Sequence, residues 1–168
     1  MVPIIDRMEA FPDTVRSSVG GLSDTDARWR PEDGAWSVCE VVWHLAEEEA
    51  LDFPVRLRLT IASPGKAWPP IDPEGWARER AYNEKDLCEG LDLFAKRRRG
   101  HVDWLRALTP EDLARTYPHP QWGDVPAAVI FASWCAHDAL HLRQIAGRLY
   151  QLVGRDAPGV DTRYAGEW

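Results

Sequence analysis

Residues 36–49, WSVCEVVWHLAEEE, are the stretch that decides the fold. Ser37 and Glu40 have the spacing of a capping box, in which the serine hydroxyl accepts from an early backbone amide and the glutamate reaches back to the cap. A helix therefore begins here. We expect it to continue to Ile61 or Ala62, which makes it one of the longest elements in the chain.

Proline interrupts this helix and the one before it. Pro54 lacks an amide hydrogen, so it must kink the helix that begins at residue 37. Upstream, apolar residues recur at helical spacing over residues 4–19, and Gly20 and Gly21 end that pattern. Pro12 lies inside this first helix and should bend or split it.

Two further helices follow. The third is predicted over residues 85–108 and the fourth over 125–153, with Asp124 as its cap and Gly154 as its end. From residue 127 to 136 the fourth helix is apolar all round apart from one serine, so we expect it to be the most buried element.

The connections between the helices contain many turn-forming residues. Residues 63–76, SPGKAWPPIDPEGW, carry enough proline and glycine to exclude regular structure, and they are long enough to cross the molecule from end to end. No segment shows convincing strand alternation, and no internal repeat is visible. Four long helices with a long crossover between the second and third predict an all-α four-helix bundle, formed by a single domain over residues 1–168.

Charge argues against a nucleic-acid partner. The 168 residues contain 20 Lys and Arg against 27 Asp and Glu, which gives a formal net charge of −7. A surface that binds phosphates requires clustered basic residues in a basic domain. The one basic run, Lys96 to Arg99, is predicted to form a solvated helix face.

Cysteine usage and hydropathy favour a cytoplasmic protein. Cys39, Cys88 and Cys135 are odd in number and lack CxxC spacing, so a disulfide framework is not expected. The first turns, MVPIIDRMEAF, carry acids and have no long apolar segment, and no apolar run reaches 18 residues. We therefore expect neither a signal peptide nor a contact with the membrane.

Three histidines are candidate ligands of one divalent metal ion. His137 and His141 lie four residues apart in HDALH, so they point from one helix face on successive turns. His44 lies early in the second helix. If the second and fourth helices are antiparallel, His44 and His141 differ in height by only ~7 Å. Three neutral imidazoles with an open coordination position are typical of a catalytic metal centre.

Spacing alone leaves another interpretation open. A histidine pair at this spacing can lie on a helix surface, and His44 can be a buried core histidine, since HxxxH without a following glutamate is weaker than the zinc-protease motif. His101 and His119 have no partner at ligand spacing. Cys39 and Cys135 project away from the neighbouring histidines and are predicted to be small buried groups.

Residues 36–49 and 137–145 resemble the DinB-like (DinB/YfiT-like) family of metal-binding four-helix bundles. That family includes metal-dependent hydrolases and proteins like the bacillithiol and mycothiol S-transferases. Helix order and loop lengths are similar over nearly the whole chain, although the specific residues are confined to these two segments. The matching positions are Trp36, Ser37, His44, His137, His141, Gln144 and Ile145.

The resemblance implies a topology, a cofactor and an activity. It implies an up-down-down-up bundle and a nickel or zinc ion on His44, His137 and His141. Imidazole ligands also suit copper and iron, so ligand type narrows the choice of metal without settling it. The expected function is metal-dependent hydrolysis or transfer of a low-molecular-weight thiol, acting on a small-molecule substrate. The alternatives are a non-catalytic metal-binding or stress-response bundle and a homodimer scaffold.

Residues beside the histidines have two interpretations each. Glu48 lies one turn after His44, so it either orients a ligand and accepts a proton or belongs to a solvated run of glutamates. Trp134 is either a pocket wall or core packing. Gln144 and Arg148 either bind a carboxylate or the polar part of a thiol cofactor, or have ordinary roles on the helix surface.

Overall fold

Four long helical segments form the molecule. The computed structural model describes residues 2–63 and 65–166. Its helices are α1 (Val2–Val19), α2 (Asp24–Arg28), α3 (Val38–Leu51), α4 (Phe53–Ala62), α5 (Pro73–Glu79), α6 (Leu87–Arg106), α7 (Pro110–Ala114) and α8 (Ala127–Asp156), with 3-10 turns at Tyr82–Glu84 and Arg163–Ala165. The long segments are α1, α3 with α4, α6 and α8. Over these described ranges, no helix combines the length and apolar character needed to cross a membrane.

The helices α3 and α8 run antiparallel. The backbone carbonyl of Trp36, just before α3, accepts a hydrogen bond from Arg148 near the end of α8, at 2.6 Å. Near the end of α3, Glu49 accepts from the indole of Trp134, which lies early in α8, at 2.8 Å. The start of α3 therefore lies beside the end of α8 and its end beside the start of α8, so the middle of α3 faces the middle of α8.

The predicted start of the second helical segment is confirmed, and so is its interruption. Ser37 and Glu40 form a complete capping box at the start of α3. The helix breaks at Asp52, where φ is −120° and ψ is −98°, and restarts as α4. Pro54 then lies in the first turn of α4, where an amide hydrogen has no partner within the helix.

Pro12 was predicted to bend or split the first helix, and the split was wrong. The helix α1 is continuous from Val2 to Val19 with Pro12 inside it. Pro12 is buried together with Phe11 and Val15, so packing of this face against the core holds the helix together across the missing hydrogen bond.

The predicted caps of the last helix were also wrong. Asp124 lies in a β-strand, Pro126 takes the cap position without a side-chain hydrogen bond, and α8 begins at the following residue. At the other end, Gly154 lies within the helix, which continues to Asp156. One glycine costs about 1 kcal/mol, which does not stop a helix of 30 residues.

Three connections carry regular structure, and the prediction that residues 63–76 exclude it was wrong. The helix α2 lies between α1 and α3, α5 lies in the crossover, and α7 and a hairpin precede α8. Within the crossover, Asp72 accepts a hydrogen bond from the amide of Gly75 and Pro73 opens α5, because proline suits the first turn of a helix. Pro64 of the same stretch lies outside the described residues. After α7, strands β1 (Thr116–His119) and β2 (Gly123–Pro126) form a two-stranded antiparallel hairpin.

Burial differs from the expectation for α3 and α8. Every residue of α3 from Val38 to Glu49 is buried except Glu47, whereas Val129 of α8 is 50% exposed. The helix α3 is the more buried of the two because it lies between α6 and α8, and it packs against both. The metal-ligand candidate on α3 therefore lies in the interior of the bundle.

The basic run does not form the predicted solvated face. Arg98 is only 1% exposed, and it pairs with Glu49 and Asp138 at 2.8 and 2.7 Å. Its Nη1 also donates to the carbonyl of Met8, at 2.9 Å. One guanidinium thereby joins α1, α3, α6 and α8. The neighbouring Arg97 donates to the carbonyl of Ala46 at 2.7 Å, so it too belongs to the bundle contacts.

Candidate metal centre

The structure brings the three predicted histidines together. One ring nitrogen each from His44, His137 and His141 lies within 4.8 Å of the other two. The Nε2 atoms of His44 and His137 are 3.4 Å apart, and those of His137 and His141 are 2.9 Å apart. The open alternative, in which the pair lies on the surface and His44 packs separately in the core, does not describe this arrangement.

The spacing of the nitrogens fits a metal ion. Two nitrogens that each lie about 2.1 Å from one ion, at tetrahedral or right angles, are about 3.0–3.4 Å apart. The observed separations of 2.9 and 3.4 Å lie close to this range. Three imidazoles leave at least one coordination position open, as in catalytic zinc sites.

Burial keeps the imidazoles neutral. It lowers the pKa of His44 to about 2, with a further contribution from His141 and His137. Burial also lowers the pKa of His137 to about 3, and it lowers the pKa of His141. A metal binds the deprotonated nitrogen, so at neutral pH all three rings are in the form that ligates.

Gln144 orients one of the rings. Its Oε1 lies 2.8 Å from Nδ1 of His141, one turn earlier on α8. An acceptor at this position favours the hydrogen on Nδ1 and leaves Nε2 free to ligate. Gln144 therefore has a role in the cluster, whereas Arg148 is buried and bonded to the carbonyl of Trp36.

Two aromatic rings flank the cluster. The ring centroid of Trp36 lies 5.0 Å from that of His44, and the centroid of Phe53 lies 5.0 Å from that of His137. Phe53 is the first residue of α4, so the break in the second helical segment places it beside the cluster. Trp134 instead packs in the core, at 1% exposure.

Glu48 is buried beside His44. Its side chain is 4% exposed, and its Oε1 lies 3.7 Å from Nδ1 of His44. Burial raises the pKa of Glu48 to about 9, and the neighbouring carboxyl of Asp52 raises it further. The interpretation of Glu48 as a solvated member of a glutamate run is therefore wrong.

A large cavity opens onto the histidines. Its volume is about 1030 Å³, and its lining includes all three imidazoles together with Trp36 and Phe53. The crossover contributes part of the lining, from Ile71 to Glu74. Small-molecule sites in proteins typically enclose about 300–1,000 Å³, so the space suits a substrate of that class.

The remaining histidines and cysteines lie outside the cluster. His101 approaches the backbone carbonyl of Glu49 at 2.8 Å, and His119 stacks on Trp122 in the hairpin. Cys39 is buried and contacts the carbonyl of Tyr82, and all three cysteines are free thiols. The prediction of a small buried group is confirmed for Cys39, whereas Cys135 is only partly buried.

Sequence reasoning missed Phe53 and Asp52. Both lie at the break between α3 and α4, and Asp52 is 4% exposed in the cavity wall. A proline after an apolar residue was the available signal, because it moves the helix break to a position one to two residues earlier.

Comparison with known proteins identifies the family. The model of the DinB superfamily matches residues 7–145. The chain belongs to the DinB superfamily. The sequence resemblance to DinB-like proteins is thereby confirmed.

Relatives of this chain share a common description. A protein of Oceanobacillus iheyensis is 27% identical over 141 residues, covering 84% of this chain and 81% of the relative. One of Geobacillus thermodenitrificans is 28% identical over 145 residues, covering 84% of this chain and 79% of the relative. Each is named a "Putative metal-dependent hydrolase".

A solved structure confirms the four-helix bundle. YfiT from Bacillus subtilis superposes with a TM-score of 0.72 at 23% identity, covering 88% of this chain and 86% of that one. It is described as "a probable metal-dependent hydrolase with an unusual four-helix bundle topology". At this identity the likeness establishes the fold alone.

Proposed function

We propose that the protein is a metal-dependent hydrolase whose divalent ion, nickel or zinc, is held by His44, His137 and His141. The observation that carries the proposal is the convergence of three neutral ring nitrogens within 4.8 Å at the wall of a cavity. The names of the relatives support the same activity.

The histidines supply ligation without a charge of their own. Three neutral imidazoles leave the full positive charge of a divalent cation available to a substrate. Such a cation supplies Lewis-acid chemistry, in that it polarises a carbonyl oxygen and makes water or a thiol more acidic.

The other residues of the site give it its shape and exclude water from it. Trp36 and Phe53 pack beside two of the histidines, so the apolar surroundings strengthen electrostatic interactions at the ligands. Gln144 holds His141 in one ring orientation. Glu48 is among the lining residues and places its carboxyl group beside His44.

Metal analysis of the purified protein tests the ligands. After expression in medium supplemented with nickel and zinc, we expect about one divalent ion per chain. His137→Ala should lose most of it, whereas His119→Ala, on the hairpin away from the cluster, should retain it. Metal-free wild-type protein, or full metal content in His137→Ala, would overturn the proposal.

A substrate screen tests the reaction. The metal-loaded protein is assayed against esters, amides and epoxides, with and without bacillithiol, mycothiol or glutathione. We expect hydrolysis that a chelator abolishes and added metal restores. Turnover that requires a thiol would identify an S-transferase instead, and persistent inactivity of the loaded protein would favour a non-catalytic metal-binding or stress-response role.

A further inference from the structure

One oxygen of Glu48 is buried without a hydrogen-bond partner. Glu48 is 3% exposed, and its Oε1 accepts no hydrogen bond from any residue in the ranges 2–63 and 65–166. A buried polar atom left unpaired is destabilising, because it has lost its hydrogen bonds to water. Such an atom in a native fold calls for a functional explanation.

The unpaired oxygen faces the outer nitrogen of a ligand candidate. Glu48 follows His44 by one helical turn, and its Oε1 lies 3.7 Å from Nδ1. The other ring nitrogen of His44, Nε2, points into the cluster, 3.4 Å from Nε2 of His137. A histidine that ligates through Nε2 carries its hydrogen on Nδ1, so Glu48 is the acceptor that this ring requires.

Glu48 has polar neighbours on the next turns of the chain. Asp52, 4% exposed, lies beside the Glu48 side chain, and its carboxyl raises the pKa of Glu48. Arg56 Nε in turn lies 2.6 Å from Oδ1 of Asp52. His44, Glu48, Asp52 and Arg56 are spaced by four residues, so one stripe of α3 and α4 carries a polar chain from the cluster to half-buried Arg56.

The two supported histidines differ in their partners. Nδ1 of His141 has a neutral amide oxygen of Gln144 at 2.8 Å, whereas Nδ1 of His44 has a carboxyl oxygen. Either acceptor fixes the tautomer of the ring that it faces, and loss of such a partner typically weakens metal binding. The support of His44 therefore affects metal affinity as well as geometry.

Resting on the proposed metal centre, we propose that Glu48 is the positioning residue for His44: it holds the ring in the tautomer that ligates through Nε2. Glu48 thereby acts on the ion through His44, and its contribution is separable from the ligands themselves.

Metal affinity and the spectrum of bound cobalt test this role. Zinc affinity is measured by competition with a chelator, and the visible absorption of the Co²⁺-loaded protein reports the ligand field. Glu48→Ala should weaken zinc binding about 10–100-fold. Glu48→Gln, which keeps an acceptor oxygen, should fall between Glu48→Ala and wild type, and both should shift the cobalt bands.

A neighbouring glutamate provides the matched control. Glu47 lies one residue earlier on α3 and pairs with Arg80, on a different face of the helix. Glu47→Gln should bind zinc as wild type does and give the same cobalt spectrum. Urea unfolding of the metal-free variants separates positioning from folding, because the loss of affinity should exceed any loss of stability.

The outcomes distinguish this role from the metal centre itself. Wild-type protein that takes up neither zinc nor cobalt would overturn the metal centre, and this role with it. If wild type binds zinc and the affinities of Glu48→Ala and Glu48→Gln are within twofold of its own, the positioning role alone is overturned. If the Glu48 variants give the wild-type cobalt spectrum and their loss of affinity equals their loss of metal-free stability, Glu48 acts in folding. That result would also overturn the positioning role.

Discussion

The indole of Trp43 lies directly against Gly90, so that a Cβ atom added at Gly90 would be 2.9 Å from its Nε1. The same Cβ would be 3.1 Å from Cγ1 of Val42. The indole cannot easily withdraw, because its Nε1 donates to the carbonyl of Asp86 at 2.9 Å. Close approach of α3 and α6 therefore requires glycine at this position.

Alanine substitutions in α6 should have opposite signs at two glycines. Gly90→Ala should destabilise the protein by about 1–3 kcal/mol, since the clash outweighs the gain in helix propensity. Gly100 lies in the same helix with nothing within 4 Å of an added Cβ. Gly100→Ala should stabilise by about 0.5–1 kcal/mol. Urea unfolding measures both, and a stabilising Gly90→Ala would contradict the close packing.

Zinc should stabilise the folded protein in proportion to its affinity. At a free concentration 100-fold above the dissociation constant, a ligand that binds only the folded state adds about 2.7 kcal/mol. Differential scanning calorimetry with and without chelator measures the shift in Tm. His141→Ala should show little shift and His119→Ala the full one. Equal shifts in the two variants would place the bound zinc elsewhere.

Acid should destabilise the metal-free protein through His44. Burial holds its pKa near 2 in the folded state against an ordinary 6.5, so between these values the unfolded chain binds a proton that the folded chain does not. Stability is lost as the pH falls through this window. The contribution amounts to about 2 kcal/mol between pH 7 and pH 5. The stability of His44→Gln relative to wild type should therefore increase by that amount as the pH falls from 7 to 5.

Glu48 should act with the opposite sign. Its folded pKa is raised from 4.5 to about 9, so across that range the folded chain holds the extra proton and wild type loses stability as the pH rises. The stability of Glu48→Gln relative to wild type should therefore increase from pH 5 to pH 7. Urea unfolding in the presence of chelator checks both variants, and slopes of the same sign would contradict the burial of one of the two groups.

Removing Arg98 should be far more damaging than removing its neighbour. Arg98→Met leaves the carboxylates of Glu49 and Asp138 buried without a counter-charge, which costs about 3–5 kcal/mol. Arg99 is exposed, so Arg99→Met should change stability by about 0.5 kcal/mol or less. Chemical denaturation measures both. Similar values for the two would show that the buried ion network contributes nothing.

Features set by nearby residues could be predicted from the sequence. The capping box at Ser37 depends on residues three apart, and the shared face of His137 and His141 depends on residues four apart. Helix periodicity likewise predicted the long segments. Its place in the second helix made His44 the candidate third ligand, and the family resemblance favoured joining it to the pair although 93 residues separate it from His137.

Features set by distant partners could not be predicted. Arg98 resembles its solvated neighbours in a basic run, and its partners Glu49 and Asp138 lie 49 and 40 residues away. The hairpin joins two strands of only four residues with prolines in both, so no alternation marks them. Its pairing depends on a contact across the turn that no local pattern contains.

The ion network around Arg98 also constrains how relatives of this protein can diverge. Any single change among Arg98, Glu49 and Asp138 strands an opposite charge in the interior, whereas replacing all three with apolar residues of similar volume is nearly neutral. These three positions should therefore covary: relatives should carry either all three charged residues or three apolar ones. Sequences that carry only one or two of these changes are destabilised, and the network adjoins His137. This part of the protein should therefore diverge more slowly than the bundle surface.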